Sequence, residues 1–441
     1  MSKFKYHIIT FGCSMNKNDS ERLSGIFERL GMKETAKPEK ADVIILNSCS
    51  VRGSAEHRIF GHVKNFGEFK KTKPNLIIGV TGCMAGRDKD GKLQKKFKGV
   101  DLFFATSEMV NLPRWLHELN PQIKEFADGE SDYLNLLPNY NNKFQALVTI
   151  QTGCNQFCTY CVVPYARGTE GNRSLKSILE EVKRLAAQGC VEISLLGQIV
   201  NHYVAPDPEY FSFNNPYKKN DFAKLLWEIN QIKGIERIFW TAPHPLYMDE
   251  EVIDALTLPH QMNYLHLPVQ SGSDDVLKRM NRKHNREYFI EVIKKIREKR
   301  PEIAIGTDII VGFCGETEQD FQDTLDLYKT CDLDISYHAK FSSRPGTVAT
   351  KMFIDDVPLA EKKKRWFKLQ HLMEKMTLHK NQKYQGQVVS VLVDKYKNGI
   401  CEGNSSEMKR VEFAGSEELL GKIIAVKVNW CGAWILRGSV V

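Results

Sequence analysis

Gly153-Cys154-Asn155-Gln156-Phe157-Cys158-Thr159-Tyr160-Cys161 carries three cysteines in the spacing C-x3-C-x2-C. Three thiolates this close together cannot complete a four-ligand metal site. They suit a [4Fe–4S] cluster held at three irons, with the fourth iron open to a small chelating molecule. A zinc site or plain buried thiols are the alternatives, but zinc favours paired C-x2-C units and no second pair follows. The stretch lies behind residues 146–151, the first of six strand-like segments. The others are 192–196, 237–240, 264–267, 303–311 and 335–341, with helical patterns at 175–188, 288–299 and 320–329 between them. Six βα units are too few for a closed eight-unit barrel. Residues 144–378 are therefore expected to form an open, partial (βα)6 barrel. Residues 202–220, a Pro-, Asn- and aromatic-containing insertion after its second strand, suit substrate contacts.

Upstream, strands at 6–11, 43–46, 76–80 and 102–105 alternate with helices at 19–30 and 55–69. Short, continuously apolar strands between helices mean a parallel sheet covered on both faces. A doubly wound α/β domain is expected over residues 1–127, followed by a polar linker, 128–143. Cys13, Cys49 and Cys83 follow the first three strands, 34 to 36 residues apart. In a parallel sheet the strand C-termini share one edge, where ligands bind. Each cysteine stands beside a small residue, Gly12, Ser48 or Gly82, whereas structural cysteines sit inside strands as small hydrophobes. Three such placements in successive units point to a second three-thiolate cluster.

Downstream of a helix at 358–380 the pattern changes to short strands, 388–393, 409–413, 423–428 and 433–438. Residues 380–441 fit a small β-barrel. From Glu361 onward the chain has 15 Lys/Arg against 8 Asp/Glu, within a net charge of +8 for the whole chain. That bias suits nucleic acid, and a solvated helix face through Lys362-Lys363-Lys364-Arg365 explains part of it. Trp430, Trp434, Arg437, Lys409 and Arg410 suit stacking and phosphate contact on single-stranded RNA, with a core role open for Trp430. At 42% hydrophobic and 26% charged the 441 residues read as a soluble globular protein, and no apolar run approaches the roughly 18 residues of a membrane span. Eleven cysteines without a signal-peptide pattern point to a cytoplasmic protein that uses thiols for metal or catalysis.

The spacing of Cys154, Cys158 and Cys161 is the one that binds S-adenosylmethionine (SAM) at an open iron. With the rest of the chain, the sequence resembles the radical-SAM methylthiotransferases. Phe11-Gly12-Cys13-Ser14-Met15-Asn16 with Asp19-Ser20, Asn47-Ser48-Cys49-Ser50-Val51-Arg52 and Thr81-Gly82-Cys83-Met84-Ala85 are similar to that family's N-terminal cysteine motifs. Cys154 to Cys161 with Val162-Val163-Pro164-Tyr165-Ala166-Arg167-Gly168 resembles its radical-SAM motif. Asp308-Ile309-Ile310-Val311-Gly312-Phe313 and Ser343-Arg344-Pro345-Gly346-Thr347 also fit, and the C-terminal piece looks like a TRAM domain, a small RNA-binding barrel. Leu196-Gly197-Gln198-Ile199-Val200-Asn201-His202-Tyr203 and Leu265-His266-Leu267-Pro268-Val269-Gln270-Ser271-Gly272-Ser273 look most like the tRNA-modifying branch. Ile199 stands where that branch has Asn, Cys314 where the family often has Pro, and Asn172-Arg173-Ser174 departs slightly from the usual Ser-Arg pair.

The resemblance implies two [4Fe–4S] clusters, one on Cys154, Cys158 and Cys161 to cleave SAM and one on Cys13, Cys49 and Cys83 for sulfur transfer. It implies methylthiolation at C2 of N6-isopentenyladenosine in a tRNA anticodon stem-loop. It also implies an electron donor such as flavodoxin or ferredoxin and iron–sulfur or sulfur-delivery proteins as partners. Gln198, Asp308, Gly312 and Arg167 are candidate SAM-pocket residues. For Gln198 a structural hydrogen bond is the alternative, for Gly312 a tight turn, and for Arg167 an ordinary ion pair. His244 and His266 suit substrate contact or hydrogen-bonded wall positions, and Arg344 is equally open. Cys190, Cys331, Cys401 and Cys431 read as structural, and so does Cys314. Threonylcarbamoyl-adenosine in tRNA, a ribosomal-protein aspartate, or a non-catalytic iron–sulfur RNA-binding protein stay open as other readings.

Overall fold

The computed structural model describes residues 4–50, 53–124 and 132–441, with the side chains of 53–57 set aside. The first unit is a five-stranded, all-parallel sheet in the order Lys33–Glu34, Lys5–Phe11, Val43–Ser48, Ile77–Gly82, Leu102–Phe103. Its two middle strands are buried along their whole length. Separate apolar clusters cover the two faces, one around Phe27, Leu112 and Leu116, the other around Ile59, Phe66 and Phe97.

The expected end of this domain, residue 127, lies outside the described residues. The stretch expected as a linker is not free from Asp132 onward, because Tyr133, Leu134 and Leu136 are buried in the first domain's core. The surrounding asparagines and aspartates concealed these apolar side chains in the sequence. Leu137 then runs over the helix Ser14–Arg29 at Gly25, where a Cβ would meet its carbonyl at 2.2 Å.

The central unit is an open barrel of two three-stranded parallel arcs. One orders Arg237–Trp240, Glu192–Leu196 and Gln145–Thr149, and the other Tyr264–His266, Ala304–Val311 and Ile335–Lys340. The arcs join through a single parallel bridge, Ile238 to Gln261. At one open edge the Asn18 amide of the first domain donates to the Leu147 carbonyl at 2.8 Å. At the other, the helix Leu359–Gln382 packs on, with the Trp366 indole donating to the His338 carbonyl at 3.0 Å. Lys362 and Arg365 of this helix are buried against Asp355 and Glu316, so half of the Lys362–Arg365 run serves the fold.

Behind the cluster loop, Arg173 and Glu181 form an ion pair with both side chains 1% exposed, and the Tyr140 hydroxyl donates to Glu181 at 2.6 Å. Glu181→Ala leaves that guanidinium buried and unpaired. It is expected to cost about 3–5 kcal/mol of stability, to be read by urea unfolding of the apo-protein.

The C-terminal unit is a closed barrel of five strands, not the four expected: Val388–Lys397, Ile400–Ser405, Arg410–Ala414, Ile423–Cys431 and Leu436–Val440. The strand that sequence reading passed over, Ile400–Ser405, is rich in Glu, Gly, Asn and Ser. Its signal was the Asn398-Gly399 turn, both residues at positive φ, which closes a two-residue hairpin. This barrel abuts the N-terminal ends of the central strands. Arg237 donates to the Ser390 and Asn404 carbonyls at 2.6 and 2.9 Å, and Lys409 pairs with Asp334 at 3.0 Å. Lys409 is thus a buried seam cation, and the expectation of RNA contact does not hold for it. Among the described residues no helix is long and apolar enough to cross a membrane.

Candidate active site

The loops after the strands Lys5–Phe11, Val43–Ser48 and Ile77–Gly82 are tied together by two buried asparagines. The Asn47 amide donates to the Asn16 carbonyl at 2.8 Å and to Ser20 Oγ at 2.9 Å, while the Asn16 amide donates to Asn47 Oδ1 at 3.2 Å. Asn16 Oδ1 accepts from the Cys13 N–H at 3.4 Å and lies 3.5 Å from its sulfur. Gly82, at φ +95°, completes the arrangement: a Cβ there would meet the Ser48 carbonyl at 2.3 Å and Asn47 Oδ1 at 2.6 Å. Only glycine fits that contact at that φ. Cys13, Cys49 and Cys83 therefore issue from three mutually fastened loops at one sheet edge, with Cys13 exposed and the other two buried.

Cys154, Cys158 and Cys161 lie on one loop at the C-terminal mouth of the barrel. Gly153, at φ +73°, lies so close to the Thr169 carbonyl that a Cβ would stand 1.9 Å from it. Phe157 takes φ +49°, and the Asn281 amide holds the turn by donating to the carbonyls of Gln156 and Phe157 at 3.2 and 3.1 Å. Each thiol faces an N–H donor. The backbone N–H of Gln156 stands 3.5 Å from Cys154, that of Val163 stands 3.4 Å from Cys161, and Arg282 Nη1 stands 3.6 Å from Cys158. Burial pushes Cys154 up to about 11 and Cys161 up to about 12. Metal capture must therefore displace protons, and the N–H donors favour the thiolates that result. Among the described residues no three His, Cys, Asp or Glu are drawn together as ligands of one ion. A cubane places each thiolate on a different iron, so this donor set fits an iron–sulfur cluster.

The two cysteine sets adjoin. The helix Cys83–Gly86 lies on the helix Val163–Arg167, where a Cβ at Gly86 would meet the Ala166 carbonyl at 2.1 Å. Cys83, Val162 and Ala166 share one apolar cluster, and Cys13 acts electrostatically on Cys83 and Cys83 on Cys161.

Beside Cys161 opens a cavity of about 710 Å³, lined also by Gln270, Asp308, Tyr337, Phe341 and Arg344. Asp308 holds His266 at 3.1 Å, and the Tyr264 hydroxyl lies 3.1 Å from the other ring nitrogen. Gln198 is half-buried just past the strand Glu192–Leu196. Gly312, at φ +71°, packs on Lys362, where a Cβ would meet Cγ at 2.3 Å, and its N–H donates to Glu316 at 3.0 Å. It is held by the closing helix, as a tight turn requires. Arg167 is engaged in an ion pair with Asp19.

His244 is 4% exposed and takes the Leu246 N–H at 3.3 Å. Burial, then Arg282 and His284, push it down to about 2, so it is a neutral wall residue. Cys190, Cys314, Cys331 and Cys401 are buried in apolar clusters. On the small barrel, Trp430 and Trp434 are about half exposed, and Arg437 stacks over Trp430 at 5.0 Å. Arg410 is occupied by Asp394 and Glu402. Sequence reading missed Arg282, Asn281 and Tyr133. They lie far from the cysteines in sequence, and no spacing rule links them.

The Radical SAM superfamily model matches residues 148–328, and that of uncharacterized protein family UPF0004 matches residues 5–105. The tRNA-2-methylthio-N(6)-dimethylallyladenosine synthase of Thermoanaerobacter sp. (strain X514) is 42% identical over 99% of this chain and 92% of its own. That of Bacillus subtilis (strain 168) is 40% identical over 99% and 86%. Among solved structures, the radical S-adenosylmethionine methyltransferase TsrM from Kitasatospora setae is similar in fold, with TM-score 0.57 and 12% identity over 91% of this chain and 78% of that one. With both cysteine sets present and near-complete coverage by these relatives, the chain belongs to the radical-SAM methylthiotransferase family.

Proposed function

We propose that this protein adds a methylthio group to C2 of N6-isopentenyladenosine beside the anticodon of a tRNA. The observation that carries the proposal is the meeting of Cys83 with the Cys161 segment beside a cavity large enough for a nucleoside-sized ligand. Cys154, Cys158 and Cys161 would hold one [4Fe–4S] cluster, and Cys13, Cys49 and Cys83 a second. With SAM they would supply the radical chemistry that removes the C2 hydrogen and the sulfur that replaces it, a second SAM being the methyl source.

The chain's own residues do the rest. The apolar contact of Cys83, Val162 and Ala166 fills the seam between the two cysteine-bearing segments. Asp308, which lines the cavity, and Tyr264 fix the ring of His266, and Asp308 and Gln198 are the proposed SAM contacts. Arg344 at the rim offers a cation to a phosphate. Phe157 is 46% exposed beside Cys158 and Arg282, giving an electron carrier of the flavodoxin or ferredoxin kind an approach to that cluster. Sulfur-delivery proteins and a cytoplasmic setting complete the proposal.

Half-exposed Trp434 on the small barrel is assigned to base stacking. Trp434→Ala is expected to weaken binding of an anticodon stem-loop by about 1–3 kcal/mol, measured by fluorescence titration at fixed salt. The proposal itself is tested by mass spectrometry of tRNA nucleosides from cells lacking the protein. The methylthio form of isopentenyladenosine should vanish while its precursor accumulates. Persistence of that nucleoside, with loss of a methylthio group from threonylcarbamoyl-adenosine or a ribosomal aspartate, would reassign the substrate.

A further inference from the structure

Arg167 ends the short helix that begins two residues after Cys161. Asp19 lies on the helix that begins directly after Cys13. The guanidinium crosses between the domains and meets both carboxylate oxygens, Nη2 to Oδ2 at 2.5 Å and Nη1 to Oδ1 at 3.3 Å. The Tyr133 hydroxyl adds a donor to Oδ1 at 2.5 Å. The Arg167 and Asp19 side chains are 2% and 0% exposed. Three residues past Cys83, Gly86 presses on the Ala166 carbonyl, next to Arg167. The segments after Cys161 and Cys13 thus share one ion pair, and the Cys83 helix packs on the same Arg167 segment.

Burying both charges costs desolvation that their attraction only roughly offsets, so such a pair is a weak source of stability. It does enforce one arrangement, because any shift leaves a charge unpaired in the interior. A bidentate arginine also fixes direction as well as distance. A SAM contact for Arg167 would require it to leave Asp19.

We propose that Asp19 is a positioning residue: by gripping Arg167 it sets the separation of Cys83 from Cys161, and with it the alignment of the sulfur-transfer site on the radical-generating site. This rests on the two-cluster reading given above. Radical formation needs only the Cys154–Cys161 loop, whereas delivery to the substrate carbon needs the two sites in register. Loss of the grip should uncouple the two.

The test compares full-length wild type with Asp19→Asn, reconstituted anaerobically with iron, sulfide, reductant, SAM and an isopentenylated anticodon stem-loop. In the variant, 5′-deoxyadenosine should form within about twofold of wild type while methylthio product falls by roughly 100-fold, the penalty of a misplacement near 1 Å. A second readout uses apo-protein and a short bis-maleimide linker. Peptide mass spectrometry should find a cross-link between the two sets, exposed Cys13 to partly exposed Cys158, readily in wild type and several-fold less in Asp19→Asn.

An unchanged product ratio with an unchanged cross-link overturns the proposal. So does equal loss of deoxyadenosine and product with an unchanged cross-link, which would put Asp19 in radical formation. Should Asp19→Asn fail to fold, Arg167→Lys keeps the charge and loses the bidentate grip. It should show the same direction in both readouts, and no change in either overturns the proposal. A wild-type protein that makes deoxyadenosine but no methylthio product refutes the function instead, and leaves the cross-link comparison to judge the positioning.

Discussion

Cys158→Ala protein is expected to release no 5′-deoxyadenosine above background when reduced with dithionite in the presence of SAM. Cys154→Ala and Cys161→Ala should behave alike. The loop that carries these thiols is shaped by other groups. Gly153 sits against Thr169, Asn281 holds the turn at Phe157, and the Thr159 N–H and hydroxyl donate to the carbonyls of Met280 and Arg279 at 3.0 and 2.9 Å. Removing one sulfur therefore removes a ligand and leaves the loop in place. Cys158 is also only partly buried, so its loss opens little cavity. Circular dichroism and the thermal midpoint should stay near those of wild type, while iron per chain falls from about eight to about four. Full deoxyadenosine formation by any of the three variants would remove the radical-SAM assignment from this loop.

The second large effect runs the other way. Cys49→Ala protein is expected to keep forming deoxyadenosine and to lose the methylthio product entirely, and Cys13→Ala should match it. Both cysteines follow strands of a sheet that does not include the Cys154 loop, and the Asn16–Asn47 network that sets their loops is independent of Asn281 and Arg282. The two sites can thus lose ligands separately. Product formed at the full rate by Cys49→Ala would rule out a second cluster at this edge. Coincident loss of deoxyadenosine would mean that the second set supports the first structurally. Measuring both products from one reaction separates these outcomes, because each variant serves as the control for the other.

Much of this was legible in the chain. Cysteines at 154, 158 and 161 need no tertiary structure to meet, since they span barely two turns of backbone. The central strand positions came through because buried parallel strands are short apolar runs. What went unread had a common cause: polar residues whose role is to fasten one segment to a distant one. Lys409 and Lys362 looked like surface charge and proved to be buried partners of Asp334 and Asp355. Tyr133 and Leu136 were hidden in a polar stretch and lie in a core. Arg282, which faces Cys158, stands more than a hundred residues from it. Side-chain pairing across domains leaves no period in a sequence.

Composition, spacing and strand order were enough to locate three thiols in one loop and three at the ends of parallel strands, and the βα architecture that carries them. They could not say how the two sets face each other. That relation is made by contacts with no local signature: a glycine at position 86 lying on the Ala166 carbonyl, and a buried carboxylate at position 19 gripping Arg167. Covalent spacing governs distances of a few residues, whereas the separation of two sites on different domains is governed by packing and desolvation at their seam.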